Sequence, residues 1–173
     1  MKLEAYGVSV DLPSGWDARL YARPLVEPAA VPGETGWPFF VSPSAEGGTA
    51  SLHAASFPLP AEDGDFGTTA TSNMPPDGVF ISLFEYQRGQ GLEAGQGLFA
   101  PKGFPHPLGR ADLSPSSLLR MLPGQVGAQH FFTRGHRPFC LYVVLGTAGS
   151  LDRGLGQLNQ ALASLRIEAK LPG

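Results

Sequence analysis

Cysteine is almost absent from this sequence, which contains Cys140 and no other. A lone cysteine cannot close an internal disulfide, so the fold has to be stabilised by its own core. Charged residues are also scarce, at 16% of the chain, against the roughly 25% typical of globular domains. We therefore expect a surface with much Gly, Pro, Ser, Thr and Ala.

Basic runs are missing as well. Lysine occurs only at Lys2, Lys102 and Lys170, and the formal net charge is −3. Phosphate backbones attract clustered positive charge, so we expect no nucleic-acid partner. The abundance of Ala, Gly, Pro, Leu and Arg favours a GC-rich bacterial genome.

Long apolar runs are the third absence. No stretch approaches the roughly 20 apolar residues that span a bilayer. Residues 1–6 include Glu4, where a signal peptide would be apolar. We expect a cytoplasmic protein without membrane insertion, and its 173 residues predict a single domain over 1–173.

The hydrophobic pattern, in contrast, is clear. Apolar and polar side chains alternate over 7–12 and again over 16–22, a period typical of half-buried strands. The Pro-Ser-Gly turn at 13–15 predicts that these two strands form a hairpin. Further strands are predicted at 51–57 and 79–87, the second apolar enough to be covered on both faces.

A second hairpin is the best-defined element, with strands at 127–134 and 137–146. Gly135 and His136 form its two-residue loop, and glycine in the first position favours a type II′ turn. The resulting register places these residues opposite each other: Phe132 and Phe139, His130 and Leu141, Phe131 and Cys140, Gln129 and Tyr142.

Helices are predicted more sparingly. Residues 62–74 are weakly helical, and Ser114 begins a short helix that ends before Pro123. A leucine stripe predicts a helix from about Ser150 to Leu165, followed by a strand at 166–171. These elements predict an α+β fold, a mainly antiparallel sheet covered by helices in an α/β/α layered sandwich.

Residues 8–16 contain a strand, a Pro-x-Gly turn and a tryptophan, in the sequence Val8-Ser9-Val10-Asp11-Leu12-Pro13-Ser14-Gly15-Trp16. This segment resembles the entry of the PsbP-like superfamily. The closing helix and strand over 151–171 are similar to its ending. That superfamily includes the photosystem extrinsic subunit PsbP, a Ran-binding nuclear transport factor and LpqN-type actinobacterial lipoproteins. The resemblance implies a PsbP-like fold and a habit of binding partners, and it assigns no site. The chain has no lipobox cysteine near its start, so the resemblance implies no membrane anchor.

Catalytic motifs are absent: there is no P-loop, dinucleotide-binding loop, nucleophile elbow or zinc-protease helix. Cys140 is predicted to lie in mid-strand as inert packing. His130, His136 and His106 are too far apart to predict a metal site, and we expect neither metal nor cofactor. His106, in a stiff loop between two prolines, either faces a pocket or is simply exposed.

An isolated Asp63-Gly64-Asp65 also occurs. It resembles part of a calcium loop, but Phe66-Gly67 breaks that pattern. The segment therefore predicts a turn and a helix cap.

Two pairs of polar residues on the second hairpin are candidate binding groups. Gln129 and Tyr142 either satisfy each other by hydrogen bonding or line a cavity between sheet and helices. Arg134 and Arg137 flank the turn, where two guanidinium groups either hold a carboxylate or remain solvated.

An aromatic cluster, Trp37-Pro38-Phe39-Phe40, lies in the Pro-rich stretch 24–50. Trp37, Phe39 and Phe40 either contact a partner or close the edge of the protein's own core.

Two functional hypotheses follow. The first is a non-catalytic binding or scaffold module that acts through protein–protein contacts, self-association included. The alternative is a small-molecule-binding protein or small enzyme with a pocket near Gln129 and Tyr142, with His106 as a further wall. The sequence leaves open whether any catalysis occurs.

Overall fold

The computed structural model describes residues 1–25, 48–87, 93–148 and 151–169. In these ranges the strands are β1 (Lys2–Ala5), β2 (Val8–Asp11), β3 (Asp17–Arg23), β4 (Thr49–Ala55), β5 (Val79–Glu85), β6 (Gln125–Arg134), β7 (Arg137–Gly146) and β8 (Arg166–Ile167). The helices are α1 (Thr68–Ser72) and α2 (Leu151–Ser164). Short 3-10 turns lie at Gly97–Phe99, Arg110–Asp112 and Pro115–Ser117.

The larger sheet has five antiparallel strands in the order β3-β4-β5-β7-β6. β5 is buried along its whole length, as its mostly apolar sequence predicts, and β7 beside it is buried along its whole length as well. The predicted register of the β6–β7 hairpin is confirmed at every predicted pair. The turn type is wrong, because Gly135 (φ 57°) and His136 (φ 61°) are both left-handed, which defines type I′.

One face of the larger sheet is covered by α2 and by a smaller antiparallel sheet of order β1-β2-β8. The core between them consists of interdigitated aliphatic and aromatic side chains, including Val10, Leu52, Ile81, Phe132, Leu141, Leu158 and Leu162. The leucine stripe of α2 therefore faces the sheet, as its spacing predicts.

The predicted N-terminal hairpin is wrong. β2 pairs with β1 and β8, whereas β3 pairs with β4 at the edge of the larger sheet. The turn at 13–15 exists, with the Trp16 N–H donating to the Pro13 carbonyl at 3.4 Å, but it connects two sheets. A period of two identifies the buried face of a strand and does not identify the strand beside it.

Loops and short turns cover most of the opposite face. Apolar side chains under them form a second cluster with members Phe57, Phe66, Ala70, Phe80, Leu118, Tyr142 and Val144. α1 is only five residues long and therefore covers little of this face. The structure therefore shows an α+β fold with two antiparallel sheets and few helices in the described ranges, and the predicted α/β/α layering is not confirmed.

The helix predicted to begin at Ser114 is a single 3-10 turn. Ser114 caps it as predicted, since its Oγ accepts the Ser116 N–H at 3.1 Å. Ser114 also exchanges two backbone hydrogen bonds with Gly127, at 2.8 and 3.1 Å. That pairing ties the segment to the edge of β6, and Leu118 is already extended (φ −82°, ψ 137°).

Among the described residues, no helix has both the length and the apolar character needed to span a bilayer.

Candidate functional site: a cationic cleft beside strand β8

Gln129 and Tyr142 face each other across the β6–β7 hairpin, as predicted. Tyr142 is 3% exposed, and its hydroxyl accepts the Leu119 N–H at 3.2 Å. The ring of Phe66 packs edge-on against it, with centroids 5.3 Å apart. Gln129 lies 3.8 Å from Cys140 Sγ through its Nε2. Both side chains thus contact groups of the protein itself, and neither lines the cleft described below.

Cys140 is completely buried between strands. Burial raises the pKa of its thiol to about 12, with a small opposing effect from the Gln129 side chain. A thiol that stays protonated at neutral pH is a poor nucleophile. The structure therefore agrees with the prediction of a packing role for this residue.

Arg137 is buried, unlike the solvated residue that one alternative predicted. Its side chain is 4% exposed and forms a two-pronged ion pair with Glu85, at 3.0 Å (Nε to Oε1) and 2.8 Å (Nη2 to Oε2). The guanidinium also donates to the carbonyls of Tyr6, Gly7 and Glu168, at 2.9 to 3.3 Å. Arg137 does hold a carboxylate, but that carboxylate is Glu85 of the same sheet. The bonds of Arg137 to the three carbonyls join the larger sheet to the smaller one.

Asp63 and Asp65 have structural roles, as the turn-and-cap interpretation predicts. The Asp63 carboxylate accepts the Gly64, Thr69 and Ala70 N–H groups at 2.7 to 3.1 Å and so caps α1. Asp65 pairs with Arg23 at 2.5 Å. Across the described ranges, no group of three or more His, Cys, Asp or Glu side chains is placed to hold a metal ion.

The loop that carries His106 is fastened to α2. Asn159 accepts the Leu108 N–H at 2.9 Å and donates to the Leu108 carbonyl at 2.8 Å. Leu108 itself is buried in the core, and Phe104 packs edge-on against Phe132 with centroids 5.6 Å apart. These contacts hold His106 beside the C-terminal end of α2.

A cleft of about 330 Å³ opens at this place, and we call it the β8 cleft. Its apolar floor is formed by Phe104, Leu162, Ala163, Leu165 and Ile167, and polar groups make up about half of the exposed lining. Its polar side chains are His106, Arg134 and Arg166. The cleft thus brings together two of the predicted candidates, His106 and Arg134, which lie far apart in sequence.

The charges of the β8 cleft are of one sign. Two guanidinium groups line it, and no acidic side chain among the described residues does. Arg134 is exposed, and its side chain has no hydrogen bond or ion pair within the described part of the chain. In a protein of net charge −3, this is a local positive site that an anion can occupy.

Arg166 is held in place by the end of α2. Its Nη1 donates to the Ala163 and Leu165 carbonyls at 2.7 and 2.9 Å. The carbonyl end of a helix carries partial negative charge, which this arginine offsets. Its remaining N–H groups have no partner in the described ranges, so they are available to a ligand that enters the cleft.

A second cleft, of about 560 Å³, lies over β3 and β4 and contains His53 and Tyr21. Most of its polar groups already have internal partners. Arg19 donates to the Ala61 and Leu59 carbonyls at 2.5 and 3.1 Å, and His53 Nε2 lies 3.0 Å from the Asp65 carbonyl. This cleft is therefore a weaker candidate than the β8 cleft, although it is larger.

The sequence does not single out His53, because a histidine within an apolar strand carries no pattern that predicts a functional role. It is 5% exposed, and its ring packs edge-on against Tyr21 and Phe80. Burial lowers its pKa from the ordinary 6.5, and nearby Arg19 acts in the same direction. The Asp65 carbonyl and the neighbouring carboxylates oppose this shift without reversing it.

We expect this histidine to make stability fall in mild acid. Between its folded pKa and the ordinary 6.5, the unfolded chain binds a proton that the folded chain does not. The free energy of unfolding therefore drops as pH falls below about 6.5, by at most about 1.4 kcal/mol per pH unit. The His53→Gln variant keeps an Nε2 donor for Asp65 and cannot titrate, so its urea midpoint should lose less between pH 7.5 and 5.5. Parallel curves for the two proteins would contradict this assignment.

The remaining histidines and the aromatic cluster complete the predicted set. His130 lies on the core face of β6, and its buried Nε2 has no hydrogen-bond partner among the described residues. His136 is exposed in the β6–β7 turn. Trp37, Phe39 and Phe40 lie outside the described residues, so their role as a contact surface or a core plug stays a prediction.

No family model, curated protein or solved structure matches the chain. Membership of the PsbP-like superfamily accordingly stays a prediction from the sequence.

Proposed function

We propose that the protein is a non-catalytic binding module that holds an anionic group, foremost a carboxylate attached to an apolar body, in the β8 cleft. The observation that carries the proposal is the pairing of Arg134 and Arg166 in a cleft without acidic side chains among the described residues. Non-catalytic binding was the first hypothesis from the sequence, and a ligand pocket belonged to the alternative, which put it near Gln129 and Tyr142. We combine the two and assign the ligand to the β8 cleft instead.

The chemistry of the cleft suits such a ligand. A guanidinium presents N–H donors in a planar fork that matches a carboxylate, and Arg166 is already oriented by the Ala163 and Leu165 carbonyls. The apolar walls formed by Leu162, Leu165 and Ile167 cover a short aliphatic group. A volume of about 330 Å³ is at the small end of ligand pockets.

The same residues support binding without catalysis. His106 is the one side chain lining the described cleft of a type that serves as a general acid or base, and no serine, cysteine or carboxylate lines it there. General acid–base or nucleophilic catalysis needs a second group placed against the first.

N-acetyl-leucine and its amide form a matched pair of probes, followed by amide chemical shifts in NMR titrations. The carboxylate should bind with shifts around Arg134 and Ile167, and the neutral amide should bind at least about tenfold more weakly. Arg134→Met and Arg166→Met should each weaken binding about tenfold or more, since a hydrogen bond to a charged group contributes about 1.5–3 kcal/mol.

Arg120→Met is the matched control, because Arg120 is exposed and its contact, to Ser72, is 3.4 Å long. It should bind N-acetyl-leucine as the native protein does. Equal loss in the control and in Arg134→Met would mean that only overall charge matters. Equal binding of acid and amide would show that the cleft does not recognise carboxylates.

A further inference from the structure

The outer edge of β8 lies along the β8 cleft. β8 is an edge strand of the smaller sheet, paired with β2 on one side. Val8 stands opposite Ile167, and the Glu168 N–H donates to the Gly7 carbonyl at 2.8 Å. In an antiparallel pair this pattern marks Val8 and Ile167 as a non-hydrogen-bonded pair. The N–H and C=O of Ile167 therefore point away from β2.

Ile167 is also one of the residues that line the cleft, together with Leu165 and Arg166 on the same segment. No other described strand pairs with β8. The cleft thus offers a backbone donor and a backbone acceptor along one wall. An extended chain that enters it can form two main-chain hydrogen bonds with Ile167, as a strand added to a sheet edge does.

Three features therefore meet at one place: an unpaired strand edge, two guanidinium groups and an apolar floor. We propose that the ligand of the β8 cleft is the C-terminus of a polypeptide, added to β8 as a short strand. Its terminal carboxylate lies between Arg134 and Arg166, and its last side chain rests on Leu162 and Leu165. This inference rests on the proposed function, and it names the ligand class.

The main-chain contacts distinguish a peptide from other carboxylates. An aliphatic acid satisfies the arginines and the apolar floor, but it leaves the Ile167 N–H and C=O unpaired. A peptide satisfies all three, because strand addition supplies affinity through main-chain hydrogen bonds and pockets supply selectivity. Since β8 is two residues long, only the last few residues of the partner are recognised.

The decisive comparison uses acetyl-Ala-Ala-Leu with a free carboxylate, its C-terminal amide and N-acetyl-leucine, each titrated into the full chain. The tripeptide acid should bind about tenfold more tightly than N-acetyl-leucine, since it adds two hydrogen bonds. The amide should lose about tenfold or more. The exchange rate of the Ile167 amide proton should fall with the tripeptide bound and should be unchanged by N-acetyl-leucine.

Methylating the peptide nitrogens one at a time provides a control that leaves the protein unchanged. Of the two alanine nitrogens, which N-acetyl-leucine lacks, one should lose most of the tripeptide's advantage when methylated, and the other should keep it. If the tripeptide and N-acetyl-leucine bind equally, and Ile167 exchange is unchanged, strand addition is wrong and carboxylate binding stands. If neither acid binds, the proposed function fails, and this inference fails with it.

Discussion

Replacing Arg137 with methionine is expected to destabilise the fold by about 3–5 kcal/mol, the usual cost of leaving one partner of a buried ion pair unpaired. Glu85 would lose its counter-charge in a site where its side chain is only 5% exposed. Its Oε2 also accepts the Ala50 N–H at 3.2 Å, which cannot replace the two bonds from Arg137. Urea unfolding followed by far-UV circular dichroism measures the loss.

A double variant separates the unpaired charge from the other contacts of Arg137. Glu85→Leu with Arg137→Met removes both charges, and we expect it to recover most of the stability lost in Arg137→Met alone. The carbonyls of Tyr6 and Glu168, which Arg137 also binds, belong to exposed residues and can bind water instead.

Arg134→Met is the matched control, because Arg134 pairs with Arg137 across the same turn but is exposed. It should change stability by no more than about 0.5 kcal/mol. Similar losses in Arg134→Met and Arg137→Met would refute the assignment of a special role to the buried pair.

The second large effect is expected at Gly67, just before α1. Gly67 is left-handed (φ 61°), and a Cβ there would lie 2.0 Å from Phe80 Cζ and 2.6 Å from Phe80 Cε1. Phe80 is completely buried, so its ring has no free space to enter. Gly67→Ala should cost about 2–5 kcal/mol, since a left-handed alanine costs about 1–2 and overpacking about 1–3.

Gly15→Ala isolates the backbone contribution. Gly15 is also left-handed (φ 83°), but a Cβ at this residue would have no described atom within 4 Å beyond its chain neighbours. Its cost should stay near the backbone value of about 1–2 kcal/mol. Phe80→Leu introduced together with Gly67→Ala should relieve part of the clash. Equal thermal midpoints for the two alanine variants would show that Phe80 is not the obstacle.

Local pattern predicted the elements better than their arrangement. The β6–β7 hairpin and α2 follow from alternation, a two-residue turn and a leucine stripe, all of which depend on neighbours in sequence. The partners of β2 and β3 depend on which apolar faces meet in space, and both strands bury residues in one core. Ser114 carries a helix-start signal, but its pairing with Gly127 prevents the helix.

In the candidate site, too, the individual residues could be predicted from the sequence, but their arrangement in space could not. Arg134 and His106 are visible in the sequence as candidates, but nothing local indicates that they share a cleft with Arg166. Arg137 looks equivalent to Arg134 in sequence, and its burial depends on Glu85, 52 residues away. The hydrogen bonds that hold the His106 loop also join residues far apart in sequence, since Leu108 and Asn159 are separated by 51 positions.

Glu85 also connects the two sides of the larger sheet. Its carboxylate receives Arg137, which contacts the smaller sheet, and its carbonyl receives Arg23. Arg23 in turn pairs with Asp65, whose carbonyl contacts Ser82 and His53. A series of ion pairs and hydrogen bonds therefore crosses the sheet from one covering layer to the other. If either layer peels away, Arg137 or Arg23 loses acceptors that lie in that layer, and that cost opposes partial opening at this end of the molecule.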